Sequence, residues 1–329
     1  MDALSAVLQV VRLEGAVYFN AEFSSPWRIA TPCAGELVPI LARGASHLVT
    51  YHLMTEGKCS LQLANGTPVE LSAGDIIIIP HGDPHDMWNG SQAPFYETKT
   101  DMETLLQRGF ASVRLGGGGE LTRFVCGYMT FDAQLCGVLM NGLPDVIKVN
   151  IFGDSSGKWL ENSLRFMVEE AAACRAGGSA VLAKLSEALF AEALRRYVAQ
   201  LPAEQSGWLG AVRDAEVGKA LTFLHRQPAR PWTIADLARE VGISRSVLVE
   251  RFSHYLGEPP ITYLTKWRLT LAAQKLKATS ASVANIAADV GYESEPAFNR
   301  AFKRAFGAPP ARFRTGARSG AARAAGAPE

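Results

Sequence analysis

Residues 237–260 read LAREVGISRSVLVERFSHYLGEPP and residues 286–310 read IAADVGYESEPAFNRAFKRAFGAPP. Laid over one another, they keep step: Ala238 with Ala287, Val241 with Val290, Gly242 with Gly291, Phe252 with Phe302, Gly257 with Gly307, and the Pro-Pro pairs 259–260 and 309–310. The offset begins at 49 and becomes 50 after one inserted residue in the second copy. Each copy reads as helix, tight turn, helix. The alanine lets the second helix approach closely, and the glycine four residues on supplies the left-handed backbone of the turn. Ser244 and Ser294 stand where each second helix needs an N-cap. Thr233 with Asp236 resembles a capping box opening the first copy.

Between the copies, Ile261–Lys277 reads as one long helix with Leu264, Trp267, Leu271 and Leu276 inward and Lys266, Arg268 and Lys275 outward. A stiff spacer would fix the separation of the two units. Two second helices about 34 Å apart would face successive major-groove turns of one duplex. The charge agrees. The whole chain carries +1, but residues 1–206 sum to −7 and residues 207–329 to +8. A basic third beside an acidic remainder suits a polyanionic partner.

Upstream the period changes. Leu48–Met54, Cys59–Leu63, Val69–Leu71, Ile76–Ile79 and Arg123–Phe131 read as short strands, the spacing of a barrel or sandwich. Asn65-Gly66 suggests a two-residue hairpin turn. Gly116–Gly119 suggests a flexible hairpin loop; four glycines could also cradle a phosphate, but no GK[ST] follows. Lys158–Cys174 and Ala180–Leu201 read as two amphipathic helices, with Leu160, Leu164, Met167 and Val168 inward on one and Leu182, Leu185, Leu189 and Leu194 on the other. Such a pair could cover a barrel or form a dimer seam.

At 329 residues, 48% hydrophobic and 20% charged, the chain suits two domains and is neither disordered nor membrane-spanning. The five cysteines (33, 59, 126, 136, 174) include no CxxC pair and read as reduced thiols. The opening MDALSAVLQVVRLEG carries Asp2 and no basic leader, so a cytoplasmic protein is expected.

Residues 212–314 resemble the DNA-binding domain of the AraC/XylS family of bacterial transcription regulators. The resemblance rests on PWTIADLAREVGIS (231–244), on Tyr263-Leu264 and Trp267-Arg268-Leu269 of the connecting helix, and on VANIAADVGYESEPAFNRAFKRAFGAPPARFR (283–314). It implies helix-turn-helix units at about 233–256 and 283–306, with recognition helices at about Arg245–Tyr255 and Glu295–Phe306. It implies that Ser246, Val249 and Glu250 face the groove in the first, and Glu295, Pro296, Asn299 and Arg300 in the second. Arg300 suits guanine O6/N7 and Glu295 suits cytosine N4. Arg245, Lys266, Arg268, Lys303 and Arg304 suit phosphates. Glu250 departs from the arginine that many relatives carry, which implies a weaker or differently specific first half-site.

Gly74, Pro80, Gly82, His85 and Asn89 fit the second cupin motif, G(X)5PXG(X)2H(X)3N, at every fixed position. Residues 15–132 therefore resemble the cupin-type sensor domain of some AraC-family regulators. The first cupin motif is degenerate: counted back from Gly57, its Glu position holds Thr50 and only His47 lies near its histidine pair. His52, His81 and His85 are the candidate ligand-binding residues, with Cys126 on a later strand. No catalytic residue and no metal ligand is assigned, and no cofactor is required; a divalent metal in the barrel is the lesser alternative.

The expected fold class is α+β in two domains: a cupin-like β-barrel with trailing helices, then an all-α domain with two helix-turn-helix units. The boundaries are 1–150 for the ligand-sensing domain, 151–201 for a helical dimerisation or relay segment, 202–207 for a linker, 208–314 for the DNA-binding domain and 315–329 for a disordered tail. The expected partners are promoter DNA, a small-molecule effector, RNA polymerase and a second copy in a homodimer, with no membrane and with activation as the output. The competing reading is a metal-dependent cupin oxygenase or isomerase with an appended DNA-binding domain.

Overall fold

The computed structural model describes residues 2–11, 14–42, 45–91, 95–97, 112–131, 140, 142–152, 155–173, 175–202 and 206–315. Cys136, Cys174, residues 203–205 of the linker and the 316–329 tail lie outside them. The chain divides into two compact units, and neither is contiguous in sequence.

The first unit comprises Leu13–Phe131 and Pro144–Tyr197. Its strands are β1 (Glu14–Ser24), β2 (Trp27–Thr31), β3 (His47–Glu56), β4 (Lys58–Leu63), β5 (Val69–Ser72), β6 (Asp75–Ile79), β7 (His85–Asn89), β8 (Phe95–Glu97), β9 (Ser112–Gly116), β10 (Leu121–Phe131) and β11 (Ile147–Asn150). Every strand read from the sequence is present. Among the described residues they form two sheets rather than one closed barrel, in the orders β11-β6-β3-β10-β1-β9 and β5-β4-β7-β2-β8. Alternate side chains of both sheets meet in one core, where Phe23, Trp27 and Phe124 pack ring against ring at centroid distances of 5.1–5.5 Å.

The six-stranded sheet is buried on its other face as well. The long helix Gly178–Gln200 lays Ser186, Leu189 and Phe190 over Tyr51, Leu53, Ile76, Ile78 and Met129, and the Tyr51 hydroxyl meets Ser186 Oγ at 3.1 Å. Double coverage explains the run of four isoleucines at 76–79, where a half-exposed strand would alternate. Covering the sheet, one of the two uses open to this helix, is thus met. The helix before it, Ser155–Ala173, leaves Trp159 and Phe166 exposed, seven residues apart.

Two turns differ from expectation. Asn65-Gly66 does join β4 to β5, but in a five-residue loop, and Gly66 is not among the positive-φ glycines. Pro68 has no N–H to donate, so pairing resumes only at Val69. The 116–119 glycines do not form a hairpin, because β9 and β10 flank β1 on opposite sides. The loop wraps the Ser24-Ser25-Pro26 corner: Gly117 N–H donates to Ser24 O, Gly118 N–H to Ser24 Oγ and Gly119 N–H to Ser25 O, at 2.9–3.0 Å. A Cβ on Gly116 or Gly119 would strike that corner, and the N–H groups a phosphate would use are spent.

The second unit comprises Met1–Arg12, Asp132–Leu143 and Val198–Glu329. Of the segment 1–150, residues 1–12 and 132–143 group with this second unit. The N-terminal helix Ala3–Val11 buries Ala3, Ala6 and Val7 and packs on the helix Ala215–Arg226, and Met140 and Leu143 also belong here. The apolar face of so short a helix reveals its existence but not its partner.

With α1 to α4 given to Ala3–Val11, Ala34–Leu41, Ser155–Ala173 and Gly178–Gln200, the helices of this unit continue as α5 (Trp208–Arg213), α6 (Ala215–Arg226), α7 (Ile234–Val241), α8 (Arg245–Leu256), α9 (Pro260–Ala278), α10 (Val283–Asp289) and α11 (Glu295–Phe306). No described helix is long and apolar enough to cross a membrane.

Candidate functional site

The repeat is a repeat of geometry. In the first copy Gly242 adopts φ 91° and Ile243 N–H donates to Ala238 O at 3.1 Å; in the second, Gly291 adopts φ 88° and Tyr292 N–H donates to Ala287 O at 2.9 Å. Gly257 and Gly307 end α8 and α11 in the same left-handed conformation. Thr233 Oγ1 accepts from Asp236 N–H, and Ser244 Oγ accepts from Val247 N–H, as capping requires. Ser294 makes no side-chain cap. Pro296, the second residue of α11, removes one of the N–H groups a cap would engage.

Leu248 and Phe252 turn α8 into the core, as Phe298 and Phe302 turn α11. On the other side of each helix a stripe at i, i+3, i+4 and i+7 remains accessible. In α8 it holds Ser246, Val249, Glu250 and Ser253; in α11 it holds Pro296, Asn299, Arg300 and Lys303. Arg245, Ser246, Glu250, Glu295, Pro296, Arg300, Lys303 and Arg304 are exposed, and Val249 and Asn299 half-buried, with Asn299 Oδ1 lacking a hydrogen-bond partner. Glu250, Arg300 and Lys303 form no ion pair among the described residues.

Two expected phosphate contacts are otherwise engaged. Arg268 is half-buried, donating from Nε to Pro228 O at 2.6 Å and from Nη2 to Arg230 O at 2.9 Å; burial holds its pKa below the ordinary arginine value. It ties α9 to the α6–α7 turn. Lys266 is exposed but pairs with Glu258 at 2.7 Å. The sequence reading also missed Arg251, whose guanidinium pairs with Asp214 and, at 3.1 Å, with Glu216. Burial would raise the Asp214 pKa, but the Val217 N–H and the Arg251 guanidinium outweigh it and hold the carboxyl below its ordinary value. That pair fastens α8 to the start of α6.

In the sheet unit, strand pairing sets Cys126 of β10 opposite His52 of β3. His52 Nδ1 lies 2.7 Å from Cys126 Sγ, and His52 Nε2 lies 2.7 Å from His85 Nε2. His85 Nδ1 lies 2.9 Å from Asp83 O. A carbonyl can only accept, so this nitrogen carries the proton. His85 is neutral, burial having pushed its pKa down to about 4. Its Nε2 therefore accepts from His52 Nε2–H, and His52 Nδ1 accepts from the Cys126 thiol. Burial drives the His52 pKa down and the Cys126 pKa up, each towards the neutral form, so the whole chain of bonds is uncharged.

The three groups lie along a line rather than around a point, because Cys126 and His85 meet opposite nitrogens of one ring. No three His, Cys, Asp or Glu side chains among the described residues converge as metal ligands. His52 is fully buried with both nitrogens engaged, and His81 is not part of the relay. His85 does reach a cavity of about 540 Å³, lined also by Arg28, Thr31, Glu36, Gln62 and Asp86. Arg28 and Asp86, on the paired strands β2 and β7, form an ion pair in its wall at 2.5 Å. These lining residues were not found from sequence; the outward positions of β2, β4 and β7 become neighbours only through pairing.

Comparison with known proteins agrees with both halves. The family model described as Cupin matches residues 2–199, and the one described as Helix-turn-helix domain matches residues 237–316. The HTH-type transcriptional regulator AlkR of Acinetobacter baylyi is 30% identical over 95% of this chain and 99% of its own. An AraC-like transcription regulator of Streptomyces lividans is 30% identical over 82% of this chain and 88% of its own. The RCS-specific HTH-type transcriptional activator RclR of Escherichia coli is 25% identical over 95% and 97%.

Proposed function

The chain belongs to the AraC/XylS type of helix-turn-helix transcription regulators with an N-terminal cupin domain, and on that premise we propose that the sheet unit makes its promoter binding depend on a small polar effector. The DNA-binding function itself is carried by one observation: two equivalent turns present two accessible helix stripes, one of them cationic and without an ion pair among the described residues.

The effector site is the cavity beside His85, where Arg28, Glu36, Gln62 and Asp86 offer donors and acceptors suited to a polar ligand. A ligand acts only if it binds the DNA-competent and incompetent states unequally. Among the three candidate histidines, His85 is the one that borders this cavity, its ring nitrogens held by the Asp83 carbonyl and by His52. His81 has no assigned part. Homodimerisation uses α3, supported by the exposure of Trp159 and Phe166, and RNA polymerase is the downstream partner. The protein works in the cytoplasm on DNA.

The enzyme reading is not favoured. The relatives are named regulators, and a metal-dependent cupin enzyme needs three or four ligands around one ion, whereas His52 holds its two partners on opposite sides. No cofactor is proposed. The test is a screen of small polar metabolites by thermal shift and DNA affinity on the full chain. A ligand whose effect on DNA binding disappears in Gln62→Ala supports the site; a ligand whose effect is untouched by Gln62→Ala and Asp86→Ala places the sensor elsewhere.

A further inference from the structure

The two reading stripes occupy equivalent positions and carry opposite chemistry. Ser246, Val249, Glu250 and Ser253 of α8 correspond to Pro296, Asn299, Arg300 and Lys303 of α11, at the offset of 50 set by Phe252 and Phe302. The α11 stripe bears two cations. The α8 stripe bears one anion and no cation, since Arg251 is turned away to Asp214 and Glu216. Arg245 stands one residue before that stripe and remains available to a phosphate.

A helix with this face gains little from the phosphate field, and Glu250 is repelled by it. Its attraction must come from base edges. In the major groove a carboxylate can only accept, and among the bases cytosine offers the N4 amino group as its sole hydrogen-bonding group there. A valine can offer only apolar contact, and the thymine methyl is the apolar group of that groove. Val249 and Glu250 are adjacent in sequence, so a bound helix brings them to neighbouring base pairs.

We propose that the first helix-turn-helix takes its hold mainly from base edges, reading a thymine methyl with Val249 beside a cytosine amino group with Glu250, while the second adds phosphate anchoring through Lys303 to its base contact through Arg300. This rests on the DNA-binding reading above and adds which bases the first half-site contains.

The test uses the full chain and the operator it selects from a random duplex library. The half-site belonging to α8 is the one whose preference moves from cytosine towards adenine in Glu250→Gln, because a glutamine amide matches adenine N6 and N7. Within it, each thymine is replaced singly by deoxyuridine, which removes only the methyl group. One position should lose about fourfold in affinity, the worth of one methyl group withdrawn from contact. Val249→Ala should abolish that loss.

A half-site without thymine, no deoxyuridine effect within it, a deoxyuridine effect that persists in Val249→Ala, or an unchanged base preference in Glu250→Gln overturns the proposal. The deoxyuridine series runs on the unaltered protein, so misfolding of a variant cannot produce its result. Failure to select any sequence would overturn the DNA-binding reading as well.

Discussion

The two helix-turn-helix copies share nearly everything inside and almost nothing outside. Alanine in the first helix, glycine in the turn, phenylalanine in the second helix and a glycine before two prolines recur at each site, and the turn hydrogen bonds recur with them. The stripes facing away from the core have diverged to opposite charge. Close packing constrains the buried positions of both copies alike. The exposed positions answer only to the partner, so the two copies of a duplicated reader can hold DNA differently without loss of stability.

The largest expected effect tests the shared interior. Phe252→Ala and Phe302→Ala each remove a fully buried ring and should each cost about 3–5 kcal/mol of unfolding free energy, measured by denaturant titration. If one copy tolerates the change, the equivalence of the two cores fails.

An effect at most on the order of 3 kcal/mol per group should appear with pH. His85 in one unit and His225 in the other are both pushed down to about 4 by burial, from an ordinary 6.5, with the Ala3 backbone opposing part of the shift at His225. Each folded-state value lies below the unfolded one. The stability these groups contribute is therefore full above pH 6.5 and lost as pH falls towards 4. Thermal unfolding should move to lower temperature across that window, and His225→Gln should flatten part of the slope. A melting temperature flat from pH 7 to 4 would contradict the neutral, buried assignments.

At the surface, Arg300→Ala should cost about 1–3 kcal/mol of binding and relax discrimination at one base pair, read by competition against single-base variants of the operator. The smallest effect sharpens the contrast most. Lys303→Ala should lower the slope of log affinity against log salt by about 1, and Ser253→Lys should raise it by about 1 by giving the first copy the cation of the second. Equal slopes in all three proteins would mean that neither position approaches a phosphate.

The duplicated helices, five of the eleven described strands and the long spacer were legible in the sequence because each is a periodic pattern that neighbours alone can satisfy. What escaped depended on distant partners. Arg268 looks like any outward arginine of α9 until the carbonyls of Pro228 and Arg230 arrive beside it. Ser294 has the right residue type for a cap, and Pro296 two positions on removes a donor. His52, Cys126 and His85 lie on three different strands, and only the pairing of β3 with β10 and the facing of the two sheets bring them into line. The glycines at 116–119 announce freedom, yet their backbone is tied to Ser24 and Ser25.

The most direct test of paired readers on one duplex is hydroxyl-radical footprinting of the full chain on its selected operator. Two protected patches on the same face, about one helical turn or 10 base pairs apart, are predicted. A single short patch, or two patches half a turn apart on opposite faces, would contradict it.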